Sequence, residues 1–266
     1  MTLRLRSPLN PILAALVAVA APVAAQESAP PQGTPPVGGD TASSPQAPLS
    51  DPLDYRLQLD WHPVGTVVPK GKLTFRNYIP MRPIGFRADR YDLLGPTYGL
   101  GGGWEGTVGI TGAERLGPGG YALFFGAGLQ KQLISETRSR PAVSLGGYGM
   151  TGPHDHHGGS VYLAATKRVW GPGPRGTALF LHGGGKLELY DSDDYGNGTG
   201  IRPYVGATLA LTRRVTLNGD FSPSQPWERA NLYAVRGTYR VYKRLGITGG
   251  IRNNGYRTLP FIGVNF

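Results

Sequence analysis

The chain has 266 residues, no cysteine and a formal net charge of +10 at pH 7. The absence of cysteine excludes disulfides, thiol catalysis and lipid attachment to a cysteine. Because the basic residues are spread singly along the chain, the charge argues against nucleic-acid binding. It favours contact with anionic lipopolysaccharide or an acidic polysaccharide.

The first 25 residues have the pattern of an export signal. Arg4 and Arg6 precede an apolar run from Pro11 to Ala25, and the run ends on the small residues of a cleavage site, Val23-Ala24-Ala25. The run is too short for a comfortable transmembrane helix. We therefore expect a cleaved signal peptide over residues 1–25, with an uncleaved anchor as the alternative.

Residues 26–53 have a different composition. They are rich in proline, glycine, serine and alanine, and they contain almost no bulky apolar side chains. Such a segment buries too little surface to offset the entropy lost on ordering, so the sequence predicts a disordered, Pro-rich tether in the periplasm. A polyproline ligand for a partner protein is the alternative.

From residue 54 to residue 266 the sequence predicts a single all-β domain. Apolar residues alternate with small, polar or charged ones: Val161, Leu163 and Ala165, for example, oppose Tyr162 and Ala164. This alternation fits a membrane barrel with its apolar face in lipid, and it also fits a soluble sandwich with apolar faces packed together. The length of the alternating blocks favours tilted membrane strands of about 9–11 residues over globular strands of about 5–6.

The connections between these blocks also favour a membrane barrel. Short turns at Arg213 and Lys243 alternate with longer polar connections at 191–199 and 222–228, as short periplasmic turns and longer external loops do in outer-membrane barrels. We therefore expect a transmembrane antiparallel up-and-down β-barrel of about 12 strands, with 10–14 as the range. The stretch Pro80–Pro96 is not assigned, and an inward plug is one possibility for it.

The C-terminal residues, Thr258 to Phe266, form an alternating strand that ends on an aromatic residue. A final strand closing on phenylalanine resembles the signal by which the barrel-assembly machinery recognises bacterial outer-membrane barrels. Phe266 is therefore the predicted insertion signal. Together with the export signal, it predicts a location in the bacterial outer membrane.

Several charged residues fall on the polar face of the predicted strands. They are Glu105, Arg168, Lys186, Glu188, Arg202, Asp220, Arg236, Arg240 and Arg252. A buried charge must be paired or hydrated. In a narrow barrel these side chains would fill the lumen with ion pairs, whereas in a wide barrel they would line a path favouring anionic solutes. We favour the narrow or plugged lumen.

The sequence predicts no catalytic residue, no cofactor and no metal site. His154, His156 and His157 are weak metal candidates, but a loop without a supporting second shell favours a solvated external loop. His182 and Glu188 share a strand face but are separated by about 20 Å along it, so they cannot act as a pair.

Four stretches resemble the barrel domain of the YjbH-like outer-membrane family, whose members are linked to exopolysaccharide production and export. They are Pro69–Phe75, Tyr98–Ile110, Gln130–Gly149 and Val161–Val169. The resemblance implies a non-enzymatic, porin-like barrel of the cell envelope: a channel, or a component of polysaccharide or solute transport. A closed structural or adhesive barrel is the alternative, and an outer-membrane enzyme is less favoured.

Overall fold

The computed structural model describes residue 59 and residues 62–76, 86–93, 95–115, 121–153, 156–171, 176–192, 196–225, 230–242, 245–254 and 258–265. The predicted signal peptide, the predicted Pro-rich tether and Phe266 lie outside the described residues. Within the described ranges the secondary structure is entirely strand and connection. None of these ranges contains a helix with the length and apolar character needed to cross a membrane.

The strands increase in length toward the middle of the chain. β7, β8 and β9 have 14, 15 and 15 residues, which exceeds the 9–11 residues that a tilted membrane strand needs. The strands are β1 (Leu73–Arg76), β2 (Phe86–Leu93), β3 (Gly95–Gly101), β4 (Trp104–Arg115), β5 (Tyr121–Ile134), β6 (Ala142–Thr151), β7 (His157–Trp170), β8 (Ala178–Ser192), β9 (Gly196–Ala210), β10 (Val215–Ser222), β11 (Leu232–Tyr242), β12 (Leu245–Asn254) and β13 (Thr258–Asn265).

All of the strands belong to one antiparallel sheet. Its order is β1-β3-β4 and then sequential to β13, which makes 12 strands along the path, while β2 pairs with β4 next to β3. The all-β, up-and-down architecture and the strand number are therefore confirmed. Among the described residues no ladder joins β1 to β13, so the sheet is not closed.

One stretch that the sequence left unassigned is partly strand, and one predicted connection differs from the sequence-based expectation. Residues 86–93 and 95–96 of the unassigned Pro80–Pro96 stretch are strand, in β2 and β3, while 77–85 and 94 lie outside the described residues. The predicted long connection at 191–199 is mostly strand as well, because the β8–β9 ladder continues to the pair Ser192 and Gly196. The turn after β9 is short, as expected, and is closed by a 3.0 Å hydrogen bond from the Leu211 N–H to the Val215 carbonyl.

The two faces of the sheet have the reverse of the usual burial in a water-soluble protein. On one face, which we call the apolar face, large hydrophobic side chains are exposed: Ile201 is 75% exposed, Val205 61% and Leu163 50%. On the other, the polar face, Lys186 and Arg202 are each only 2% exposed. The period-two alternation of the sequence produces this separation directly, because successive strand residues point to opposite faces.

Glycines on the polar face make room for tyrosine rings on neighbouring strands. Tyr162 is paired in register with Gly146, and Tyr204 with Gly184. A Cβ added at Gly146 would lie 2.4 Å from the Tyr162 ring, and one added at Gly184 would lie 2.6 Å from the Tyr204 hydroxyl. The abundance of glycine in the strands is therefore partly a packing requirement, since the hydroxyl end of each ring occupies the space that a side chain would fill.

Candidate functional site

A segment without regular secondary structure lies across the polar face of the sheet. It consists of Leu59 and residues 62–68, and we call it the crossing segment. His62, Pro63, Val64 and Gly65 within it are buried. Its hydrogen-bond partners run from Glu105 in β4 to Asp220 in β10, so the segment spans most of the width of the sheet.

Side chains of the sheet bind mainly to the backbone of the crossing segment. Gln130 donates from Nε2 to the carbonyls of Val64 (2.9 Å) and Thr66 (3.0 Å). The hydroxyl of Tyr204 donates to the Pro63 carbonyl at 3.1 Å. These bonds satisfy backbone groups that would otherwise be buried without a partner, which is costly.

Gly65 lies at the closest approach of the crossing segment to the sheet. Its N–H donates to Thr166 Oγ1 at 2.8 Å, and its carbonyl accepts from Ser144 Oγ at 2.8 Å. A Cβ at this position would lie 2.6 Å from both the Ala142 carbonyl oxygen and the Thr166 nitrogen. Both are backbone atoms of β6 and β7, so only glycine fits here without displacing the segment or the strands.

The ends of the crossing segment are bound differently. Leu59 and Val64 pack with Tyr162, Ala164 and Tyr204 in a small apolar cluster. At the other end, the Val68 N–H donates to Glu105 Oε2 at 2.6 Å. The segment is thus held by apolar packing, by backbone hydrogen bonds and by a carboxylate acceptor.

His62 links the crossing segment to the charged residues of the sheet. Its Nδ1 lies 2.8 Å from Asp220 Oδ2, and its ring stacks on Tyr204 with centroids 4.5 Å apart. Burial, with the nearby cations of Lys186 and Arg202, lowers the pKa of His62 well below its usual value, and Glu188 opposes this only in part. The imidazole is therefore neutral at neutral pH, and its Nδ1–H donates to the Asp220 carboxylate.

Glu188 is the centre of a buried ion-pair network. Its Oε1 accepts from Lys186 Nζ and its Oε2 from Arg202 Nε, both at 2.9 Å. Arg202 also donates to the Pro223 carbonyl at 3.1 Å. Lys186 and Arg202 are register partners on β8 and β9, and Glu188 is two residues along β8 on the same face. The geometry pairs each carboxylate oxygen with a different cation.

A small cavity of about 30 Å³ remains beside the crossing segment. It is lined by His62, Val64, Glu105, Gln130 and Tyr162 among others. A volume of this size has room for one or two water molecules and for no larger solute.

The nine charged residues that the sequence places on the polar face are divided between two environments. Glu105, Lys186, Glu188, Arg202, Asp220 and Arg236 are buried. Arg168, Arg240 and Arg252 are partly exposed, and the guanidinium of Arg252 lies 5.3 Å from the centre of the Phe261 ring. That these residues line a lumen remains a prediction.

The two described histidines near residue 155 lie in different environments. His156 is buried edge-on against Phe124, with centroids 6.1 Å apart, whereas His157 is exposed and pairs with Thr151 at 2.9 Å. His154 lies outside the described residues. In the part of the chain that the structure describes, no group of three or more histidine, aspartate or glutamate side chains is placed to hold a metal ion.

His182 is hydrogen-bonded to both neighbouring strands. Its ring nitrogens lie 2.9 Å from Thr166 Oγ1 on β7 and 2.9 Å from Thr208 Oγ1 on β9. It therefore bridges its two neighbouring strands through hydroxyl groups, away from the Glu188 network.

Sequence reasoning did not find the crossing segment. The sequence was interpreted as a single all-β domain from residue 54 to residue 266, and this interpretation did not separate the crossing segment from the strands. The available signals were Pro63 and Gly65, which are both unusual inside a strand. His62 offered no signal, because its partner Asp220 is 158 residues away.

Comparison of the chain with protein-family models, with curated proteins and with solved structures finds no match.

Proposed function

We propose that this sheet is the wall of a transmembrane β-barrel of the bacterial outer membrane, and that the chain is a non-enzymatic envelope protein whose interior is closed by the crossing segment. The observation that carries the proposal is the reversed burial of the two faces. A soluble sandwich would bury Leu163, Val205 and Ile201, since each buried side chain of this size contributes about 1.5–3 kcal/mol. Here these side chains are exposed, and the polar ones are buried.

Lipid is the environment that suits this arrangement. A bilayer gives the exposed aliphatic side chains an apolar contact and leaves the charged face directed inward, as in known outer-membrane barrels. Closure of the sheet between β1 and β13 belongs to this proposal, because an open sheet edge would leave backbone groups unpaired in lipid. The proposed partners are outer-membrane lipid, lipopolysaccharide and the barrel-assembly machinery.

A charge on the apolar face tests the membrane location. Leu163 lies near the middle of β7 and is half exposed. In a bilayer, Leu163→Arg is expected to lower the free energy of unfolding by about 2–4 kcal/mol. On a water-exposed surface the same change would be nearly neutral, within about 0.5 kcal/mol.

The measurement is urea unfolding of the protein refolded into lipid vesicles. The matched control is Lys70→Arg, an exposed position outside the strands that keeps its charge. A neutral result for Leu163→Arg would contradict the membrane assignment and favour a soluble sheet protein.

Closure of the interior is a separate part of the proposal. The polar face is occupied by the crossing segment and by the Glu188 network, and the cavity beside the segment holds only water-sized molecules. We therefore expect residues 26–266, refolded into a planar bilayer, to insert and remain electrically silent.

Steady anion-selective current from the native chain would contradict this expectation and would identify an open channel. In that case Arg236→Glu should shift the selectivity toward cations, because Arg236 is buried on the polar face. Insertion itself is scored independently, by the resistance of the folded band to unfolding in SDS before heating.

Export of an anionic polysaccharide or solute is the second candidate role. Among the nine charged residues discussed above, six are cations and three are acids, so the polar face carries an excess of positive charge. The resemblance to the YjbH-like family adds exopolysaccharide to the candidates. Binding of acidic and neutral polysaccharides to the refolded protein, compared at low and high salt, separates this role from that of a purely structural or adhesive barrel.

A further inference from the structure

We propose that the end of the sheet around Arg213 and Arg214 binds the phosphate group of an anionic glycerophospholipid. The proposal rests on the membrane barrel proposed above and deepens it, since it names the end of the strands that contacts lipid headgroups and the headgroup chemistry that is preferred. Three observations support it: the distribution of charge between the two ends, a sequence pattern that occurs twice, and the contacts of the Arg213-Arg214 turn.

The hairpin connections at the two ends of the sheet differ in charge. One end, which we call the basic end, has the β3–β4, β5–β6, β7–β8, β9–β10 and β11–β12 connections, and the opposite end has the β4–β5, β6–β7, β8–β9, β10–β11 and β12–β13 connections. The connections of the basic end contain seven basic residues and one acidic residue, whereas those of the opposite end contain two basic and four acidic residues. The seven are Arg138, Arg140, Arg175, Arg213, Arg214, Lys243 and Arg244. Only the basic end therefore favours an anionic surface.

The strands β7 and β11 finish at the basic end with the same sequence pattern. Arg168-Val169-Trp170 ends β7, and Arg240-Val241-Tyr242 ends β11. In both strands the register shifts between the arginine and the aromatic residue, so that the aromatic residues pair with Leu179 and Leu245. Trp170 is 55% exposed and Tyr242 is 62% exposed. Exposed aromatic residues at the ends of strands are typical of the membrane interface of outer-membrane barrels.

The turn that contains Arg213 and Arg214 lies between the two strands that end in this pattern. A Cβ added at Gly176, in the connection that follows β7, would lie 2.8 Å from Arg213 Cγ. On the other side of the turn, the Arg214 carbonyl accepts a 2.8 Å hydrogen bond from the Arg240 N–H of β11. Both arginines of the turn are exposed, and no carboxylate among the described residues forms an ion pair with either of them. The turn therefore presents two exposed arginines between the aromatic ends of β7 and β11.

The order of residues along the strands matches the layers of a lipid leaflet. Aliphatic side chains such as Leu163 and Leu181 are exposed within the strands, the aromatic residues come at the strand ends, and the arginines follow in the connection. Acyl chains, the interfacial region and the headgroup phosphates succeed one another in the same direction. Arginine suits a phosphate, because its planar guanidinium donates two parallel N–H bonds to two oxygens. Residues 211–214 contain no carboxylate that would attract the cation of a zwitterionic headgroup.

The experiment measures which lipid the folded protein retains. Lipid is titrated into the refolded full chain in micelles of a neutral detergent, and bound molecules are counted by native mass spectrometry. The probes are short-chain phosphatidylglycerol, which is anionic, phosphatidylcholine with the same acyl chains, which is zwitterionic, and glycerol phosphate, which has no acyl chain. The variant combines Arg213→Gln with Arg214→Gln. The matched control combines Lys70→Gln with Lys72→Gln, which removes the same charge from two exposed lysines next to β1.

We expect phosphatidylglycerol to bind more tightly than phosphatidylcholine and glycerol phosphate. The arginine variant should bind phosphatidylglycerol about 30-fold more weakly, since each arginine near an anionic surface contributes about fivefold in affinity. The lysine variant should bind it as the native chain does. Equal affinity for the two lipids would overturn the proposal. Equal losses in the two variants would also overturn it, because they would show a diffuse attraction between charges.

Two further outcomes separate the ligand and the barrel. Glycerol phosphate that binds as tightly as phosphatidylglycerol would overturn the proposal and make the ligand a soluble phosphate compound. Absence of lipid selectivity in a protein that Leu163→Arg strongly destabilises would remove the headgroup site and leave the barrel intact. Because the lipid measurement uses micelles, it is scored independently of the bilayer test at Leu163.

Discussion

Glu188→Ala is expected to lower the free energy of unfolding by about 3–5 kcal/mol. Both oxygens of this carboxylate are bonded to cations at 2.9 Å, and both cations are 2% exposed. Removing the acid leaves two buried positive charges close together without their shared counter-ion, and neither can move to water without disturbing the face. The measurement is urea unfolding in lipid vesicles, with the heat needed to unfold the protein in SDS as a second readout.

The paired substitution that tests the cause is Arg202→Met. If Glu188 acts through this ion pair, the double variant loses less stability than the sum of the two single variants. Strictly additive losses would contradict the network and assign the effect to packing alone. Leu187→Ala, the next residue on the opposite face, controls for truncation at this depth.

Gly184→Ala is the second change with a large expected effect, a loss at the upper end of the range of about 1–3 kcal/mol for overpacking. The new Cβ would lie 2.1 Å from the Leu163 carbonyl oxygen and 2.6 Å from the Tyr204 hydroxyl. The tyrosine ring would have to leave its place over Gly184, which also breaks its bond to the Pro63 carbonyl. Alanine also restricts the unfolded chain, which stabilises the folded protein by only about 0.4–1 kcal/mol. The steric overlap is the larger effect, so the substitution is expected to destabilise the protein.

The neighbouring position separates the overlap from any general effect of alanine in β8. Gly185→Ala adds the same methyl group with nothing closer than 4.0 Å, and it should leave stability unchanged or raise it slightly. Thermal unfolding of both variants in the same detergent is sufficient for the comparison. Equal losses of stability at the two positions would contradict the explanation that close packing, including the Tyr204 ring, excludes a side chain at position 184.

Much of the sheet could be predicted because strand periodicity is local. Alternation alone placed Glu105, Lys186 and Asp220 on one face and Val205 and Leu163 on the other. It also gave the number of strands along the sheet, since each block of alternation ends in turn residues. The alternation did not show which face is buried and which is exposed, because the same pattern occurs in a soluble sandwich and in a membrane barrel.

The contacts that assemble the site are not local, and the sequence could not supply them. Which residues lie opposite Gly184 or Lys186 depends on register, and register depends on the hairpin connections. The 191–199 connection shows the difficulty: its polar composition predicted a loop, whereas the ladder continues through most of it. A single sequence gives no indication that two residues as far apart in the chain as His62 and Asp220 form a hydrogen bond.

The position of the crossing segment in the chain has a consequence for assembly. The segment precedes β1, but its hydrogen-bond partners extend as far as β10, with separations of 101, 141 and 158 residues for Thr166, Tyr204 and Asp220. Loops of that length close slowly, and the contacts they enable form only after the intervening strands are in place. The crossing segment is thus synthesised before every strand of the sheet and is the last of these elements to find its partners. Until it does, the charged side chains of the polar face lack these contacts and need water as their partner.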